Sequence, residues 1–451
     1  HDRNAVDHTV VVTYRIREGI PSRIRDIYIV GNEITRDYVI RRELAIQPGD
    51  LGDPSRIRTS EKRLSQLNYF ETIEISPMAT ERDDLKDLRI QLAEKRTGVF
   101  SVGAGFSTED SVVGFVELAE NNFDISRLFD WPPKGGGQRM RLRTSLGTKT
   151  TDFRLDFTEP WFLDRRLRLN VELFSGSRSY DEYDQSDMGL GVTVTRPLET
   201  FWRQSVGFRL DRVDLSNFDS PPKTPDYSDP SIGSTWPVIP MVEDRTLIDE
   251  EGSYWANRLT FGLSRDTRDD FMYARHGSSV NLGAELESPL LGSYSNIVRL
   301  DARGSKFIPV FQRSVLRLRG QMSIADDVSG EPMAIFDRYF AGGASSLRGF
   351  NFRDVGPVDA GDNPIGGKSR LLTTAELARP VGDFMYVHIF LDAGNVWADT
   401  LDVDPTDLNA SVGVGLQLIA LPLRLEYGFP IITNWDHLDG RGGQIHFNIG
   451  Y

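Results

Sequence analysis

The chain has 451 residues, a net charge of −14 and a pI near 5.0. That acidic balance argues against a nucleic-acid partner, whose phosphates select a basic patch. Mean hydropathy is −0.35, and no run of roughly 18 apolar residues occurs, which excludes membrane helices but not a β-barrel, where every second residue faces lipid. With no cysteine, disulfides and thiolate metal sites are ruled out.

In chain order, residues 1–21 read as the tail of a preceding domain, with a strand-like run from Val10 to Ile16. The start at His1 is expected to be the start of a fragment. Residues 22–95 read as a small β-α-α-β-β unit. A strand over Ile24–Val30 ends at Gly31-Asn32. Thr35 is expected to cap a helix to about Leu44, and Ser55 a second helix with Ile57, Leu64 and Leu67 on one face. Strands over Phe70–Ser76 and Leu85–Glu94 follow.

From Thr97 onward, segments of about ten residues alternate apolar and polar side chains between Gly, Asp, Asn and Pro turns. Strand side chains alternate between two faces. Gln138–Leu146 carries Met140, Leu142, Thr144 and Leu146 on one face and Arg139, Arg141, Arg143 and Ser145 on the other. An apolar core would not accept three arginines from one strand, whereas a transmembrane barrel turns such a face to a watery lumen. Sixteen strands are expected, at about 98–106, 111–121, 138–147, 151–158, 166–177, 186–196, 203–214, 255–265, 278–287, 295–308, 314–325, 369–378, 384–393, 410–419, 422–429 and 443–451. An even number suits a single-chain barrel. Long connections should follow odd-numbered strands, as 215–254 and 326–368 do; 122–137 is an exception. The fold class is therefore an all-β transmembrane barrel of 16 antiparallel strands over 96–451, preceded by an α+β domain.

The strongest local signal is Phe336 to Phe350, containing Gly342-Gly343 and Leu347-Arg348-Gly349-Phe350. With Thr158–Phe162, Asp266–Asp270 followed by Gly277, Asp392–Trp397 and Phe447–Gly450, it makes the chain resemble the BamA family of outer-membrane assembly barrels. The resemblance covers almost the whole chain and implies that residues 22–95 are that family's last POTRA domain. It also implies that loop 326–368 folds into the lumen, where Arg348 meets acidic residues of the inner wall. Glu376 and Asp392 share inward parity with Thr374 and His388 and are the expected partners.

The resemblance further implies an insertase that folds β-barrel clients by lateral opening between strands one and sixteen. Gly98, Gly103 and Gly105 should weaken strand one. Strand sixteen alternates regularly, with Phe447, Ile449 and Tyr451 on one face, and the two should meet near Ser101 and Phe447. The expected partners are unfolded outer-membrane protein clients, periplasmic assembly lipoproteins, and outer-membrane lipid and lipopolysaccharide, bridged by cations at acidic outer loops such as Glu243–Glu251. A TamA-like assembly factor or a two-partner-secretion transporter would share these features. A passive porin would need neither the small domain nor a lumen loop. No enzyme activity, cofactor or metal is expected; Gly135–Gly137 lacks the Lys-Ser/Thr of a phosphate loop.

Overall fold

The computed structural model describes residues 2–4, 9–11, 21–109, 111–218, 250–271, 273–311, 313–359, 361–419 and 423–449. Two short strands, β1 (Asp2–Asn4) and β2 (Thr9–Val11), pair antiparallel; most of the Val10–Ile16 run lies outside the described residues. The remainder divides into a small unit, which takes in residues up to 98 and 120–138, and a large one.

The small unit has strand β3 (Arg23–Val30), helices α1 (Asp37–Arg41) and α2 (Pro54–Leu67), and strands β4 (Phe70–Ala79) and β5 (Leu85–Glu94). The sheet order is β3-β5-β4, with β3 parallel and β4 antiparallel to β5. Val39, Ile40, Leu64, Leu88 and Ile90 are fully buried between sheet and helices, with Ile57 and Leu67 packed at the edge. Both expected caps are corrected. Thr35 does not cap α1, whose N-cap is Arg36 with no side-chain cap bond; the Thr35 hydroxyl instead accepts from Asn122 Nδ2 at 2.8 Å. The cap of α2 is Asp53, which accepts from Ser55 N at 2.8 Å, and Pro54 opens the helix. A carboxylate before a proline at the first helical position outcompetes the serine two residues on.

The exceptional length of 122–137 has a physical cause. Gly135 accepts from Arg36 N at 3.0 Å, and Asp124 pairs with Arg36 at 2.6 Å. Gly135 has φ +105°, and a Cβ there would sit 2.1 Å from the Ile34 carbonyl oxygen. The triple glycine is thus a close backbone approach within the small unit.

The large unit is a closed antiparallel barrel: β6 (Gly98–Ser107), β7 (Ser111–Phe123), β8 (Gln138–Gly147), β9 (Thr150–Glu159), β10 (Arg168–Ser179), β11 (Asp184–Pro197), β12 (Trp202–Ser216), β13 (Gly252–Trp255), β14 (Arg258–Asp266), β15 (Gly277–Glu287), β16 (Ile297–Val310), β17 (Ser314–Asp327), β18 (Ser369–Val381), β19 (Met385–Trp397), β20 (Asn409–Leu418), β21 (Leu423–Ile432) and β22 (Gln444–Ile449). Both β13 and β14 lie on β12. They form one interrupted stave, so the barrel has sixteen.

Alternation reads out directly. On β20, Val412, Val414 and Leu416 are exposed while Ser411, Gly413 and Gly415 are buried; on β21, Leu425, Tyr427 and Phe429 are exposed and Glu426, Gly428 and Pro430 buried. Arg141 and Arg143 lie 3.6 and 4.0 Å from Glu117, and Arg143 covers the Phe115 ring. The arginines of β8 therefore face the inner wall of β7, where a lipid-facing position would cost ~2–4 kcal/mol each. The Asp266–Asp270 motif builds the turn from β14 to β15. Asp269 Oδ1 accepts from Arg275 N and His276 N at 2.9 and 3.1 Å, and these amides hold its carboxyl below the usual carboxylate range.

Candidate functional site

The loop between β17 and β18 enters the lumen and is anchored at several points. Leu347 and Phe350 are 0% and 1% exposed, in a cluster with Ala341, Val355, Leu372, Val396 and Leu438. Between them, Arg348 extends across the inner wall. Its Nε and Nη2 donate to the two carboxylate oxygens of Asp392 on β19 at 2.6 and 2.8 Å. Its Nη1 donates to Glu376 on β18 at 3.1 Å and to Glu426 on β21 at 2.5 Å. The guanidinium carbon stands 3.5 Å from the centroid of the Phe390 ring. One cation thereby ties three staves together through charge-assisted hydrogen bonds, each worth ~1.5–3 kcal/mol net.

The backbone around Arg348 is as tightly held as its side chain. The Arg348 carbonyl accepts from the Ser411 hydroxyl, and Gly349 N donates to His446 Nε2 at 2.8 Å. Gly349 has φ +91°, and an added Cβ would lie 3.0 Å from Ser411 Cβ. A Cβ on Gly428 would approach Gly349 N to 2.6 Å. Two glycines, one on the loop and one on β21, let backbone touch backbone.

Sequence reasoning missed Glu426, Arg317, Arg424, Gly428, Ser411 and His446. Arg317 and Arg424 reach Glu376 at 2.9 and 2.8 Å, and His388 Nε2 meets Glu426 at 2.8 Å. Glu376, His388 and Glu426 have donor atoms within 4.8 Å of one another. With Arg317, Arg348 and Arg424 already on the carboxylates, a divalent cation would meet positive charge, so the arrangement is an ion-pair network and not a metal site.

A second anchor has the opposite polarity. Asp337, fully buried in the same loop, accepts from Arg258 on β14 at 3.0 Å, from Arg299 on β16 and from Tyr294, and Glu287 bridges the two arginines at 2.6 and 2.9 Å. Glu250 corrects the reading of 243–251 as solvated charge at its own position, while Glu251 is exposed as expected. Glu250 is 6% exposed and accepts from Arg338 and from Ile335 N at 2.6 Å; residues 243–249 lie outside the described residues. Arg353 completes the loop, its guanidinium 3.5 Å from the Phe340 centroid and 4.3 Å from that of Tyr180.

At the seam, the pairing of β22 with β6 among the described residues is Asn448↔Ser107 and Ile449↔Phe106, plus a bond from Thr108 N to the Phe447 carbonyl at 3.0 Å. By contrast, β18 and β19 stay in register from Ser369↔Trp397 to Val381↔Met385. The meeting point expected near Ser101 is corrected: it lies at the other end of β6. The Phe106 and Phe447 rings face each other across the seam at 5.6 Å. Gly103 accommodates the Phe115 ring, which an added Cβ would approach to 2.6 Å. Gly98 opens β6, and Gly105 shares the inward parity of Gly103. Gly450 and Tyr451 lie outside the described residues.

A family model for the Omp85 superfamily domain matches residues 134–451, and one for the POTRA surface-antigen repeat matches 22–95. Among curated proteins, the outer membrane protein assembly factor BamA of Nitratidesulfovibrio vulgaris is 25% identical over 99% of this chain and 53% of its own length; that of Neisseria meningitidis serogroup B is 26% identical over 91% and 51%. The chain thus spans about half the length of these relatives. The crystal structure of BamA from Haemophilus ducreyi lacking POTRA domains 1–3 superposes with a TM-score of 0.76 at 23% identity, over 99% of this chain and 88% of that one. The sixteen-stave barrel, the POTRA sheet before it and the matched 134–451 region place this chain in the Omp85 superfamily, as a BamA-family member.

Proposed function

We propose that this chain is the membrane part of an outer-membrane protein assembly factor that releases clients sideways, through the joint between β6 and β22. The barrel lies in the outer membrane and the POTRA unit in the periplasm. The observation that carries the reading is the contrast, among the described residues, between the short β6–β22 ladder and the long ladders of neighbouring staves such as β11–β12 and β18–β19. An edge held by few backbone bonds separates at the lowest cost. Once free, it offers unpaired N–H and C=O groups to an incoming strand, the mode of β-augmentation. The lumen loop ties β18, β19 and β21 together and holds β22 through Gly349 N and His446, so that wall stays intact; its bond from Ser345 to Glu109, just past β6, has to release when the joint opens.

The POTRA sheet has β3 and β4 at its edges, and these are the surfaces for extended segments of clients or of periplasmic lipoproteins. No step needs a bond-making residue; the work is exchange of strand pairing. The chain reconstituted in vesicles should fold a urea-unfolded barrel client several-fold faster than empty vesicles. A folding rate equal to that of empty vesicles contradicts the proposal.

A further inference from the structure

Three short turns at the barrel end where β6 begins share an unusual composition. The turns from β9 to β10, β11 to β12 and β16 to β17 present Leu163, Phe201 and Phe311, which are 70%, 72% and 88% exposed. All three sit in the left-handed backbone region, with φ of 57°, 68° and 50°. Glycine or asparagine is the ordinary occupant there, and a bulky apolar side chain is disfavoured. These side chains are neither buried in a core nor suited to the turn, so the demand for them comes from outside the fold.

Exposed arginines flank the tips: Arg165, Arg166, Arg196, Arg203 and Arg313, against the acids Asp164 and Glu199. Across these three turns that is a basic balance in a chain of net charge −14, which the exposed Asp269, Asp270 and Arg275 of the β14–β15 turn on the same rim reduce but do not reverse. Arginine and indole are also paired here, Arg166 lying 5.5 Å from the Trp161 centroid and Arg265 5.9 Å from that of Trp202. The β19–β20 connection at the opposite end differs. Leu401 is likewise left-handed and exposed, with φ 63°, but residues 398–408 hold Asp399, Asp402, Asp404 and Asp407 and no basic residue.

We propose that this rim is a phospholipid-docking surface that fixes the height of the barrel in the bilayer, an inference that rests on reading the barrel as membrane-spanning. Leu163, Phe201 and Phe311 seat at the boundary between headgroups and acyl chains, and the flanking arginines bind headgroup phosphates. The charge is complementary, since guanidinium binds phosphate in a fork. The geometry is that of an interfacial anchor, with an apolar body below and a cationic head above. The tips are spread along the rim from β9 to β17 and do not converge on one groove. A bilayer face meets them all at once, as a single polypeptide segment would not.

Because the chain has no cysteine, single Phe201→Cys and Phe311→Cys variants carry one spin label each. The full chain is reconstituted in phosphatidylethanolamine–phosphatidylglycerol vesicles, and label depth is read by power saturation. Labels at 201 and 311 should report ~5–10 Å below the headgroup surface, with Arg203→Glu and Arg313→Glu respectively moving them toward water. A Leu401→Cys label should read aqueous. Labels at 201 and 311 as aqueous as the one at 401 overturn the proposal. A label that reads aqueous in vesicles and is immobilised only by an unfolded barrel client also overturns it, in favour of a protein occupant. A Val412→Cys label at the lipid face of β20 must read hydrocarbon; if it too reads aqueous, the membrane-spanning reading has failed along with the rim.

Discussion

Arg348 satisfies three carboxylates from three staves, so its removal strands charge in a closed space. Arg348→Ala leaves Asp392 short of a cation, while Glu376 and Glu426 keep Arg424 at 2.8 and 2.9 Å; breaking a buried pair in this way costs ~3–5 kcal/mol. Arg348→Lys keeps the charge but loses the forked contact with Asp392. Limited proteolysis should cut the loop of the alanine variant fastest, the lysine variant at an intermediate rate and the wild type slowest. Equal rates would mean the contact does not hold the loop. Gly349→Ala and Gly428→Ala should each loosen the same loop by ~1–3 kcal/mol, the first through a left-handed backbone and the second through a collision with Gly349 N; a loop with unchanged protease protection in both would contradict the close approach. Arg348 and its partners Glu376 and Asp392 were legible because a motif marked the arginine and strand parity marked the inward carboxylates. Glu426, Arg317 and Arg424 were not. Their parity is equally inward, but finding them needs the stagger of neighbouring strands, such as Arg317↔Glu376, which periodicity does not contain.

At the scale of elements, strand positions were readable because outward apolar and inward polar residues persist through every stave. Helix starts were misread at Thr35 and Ser55, where local capping rules lost to Asp53-Pro54 and to the Asn122 contact. Asp53→Ala should cost ~1 kcal/mol of α2 stability, seen as faster amide exchange in Ser55 and its neighbours; unchanged exchange would restore Ser55 as the cap. The pairing of β3 with β5 carries a pH signature. Arg25 donates to both oxygens of Asp87, at 2.9 and 2.5 Å, and holds its carboxyl below the usual range. A carboxyl depressed in the folded state adds stability above its unfolded pKa of about 3.9 and loses it as pH falls toward the folded value. Amide protection in β3 should therefore fall below about pH 4 in the wild type, and Asp87→Asn should flatten that step. A step of the same size in both would assign it to other groups.

The whole barrel combines a rigid wall and a short joint. The lumen loop binds the wall with Arg348 in an acidic site at one anchor and Asp337 in a basic site at the other, so a slide of the loop breaks both sets of ion pairs. The described ladder of the joint between β6 and β22 is short, and the loop reaches both of its sides only through neutral or single-carboxylate bonds, Gly349 N to His446 on β22 and Ser345 to Glu109 just past β6. Even strand count and loop parity made closure legible from sequence. The register at the joint was not, because β6, with three glycines in its ten residues, gives no pattern to align against β22. The most direct test is a disulfide between Ser107→Cys and Asn448→Cys, the paired positions at the joint. The account predicts that the oxidised, verified cross-link leaves the barrel folded, stops client insertion in proteoliposomes, and releases it when a reductant is added. Client insertion at the uncross-linked rate through a fully locked joint would contradict lateral opening.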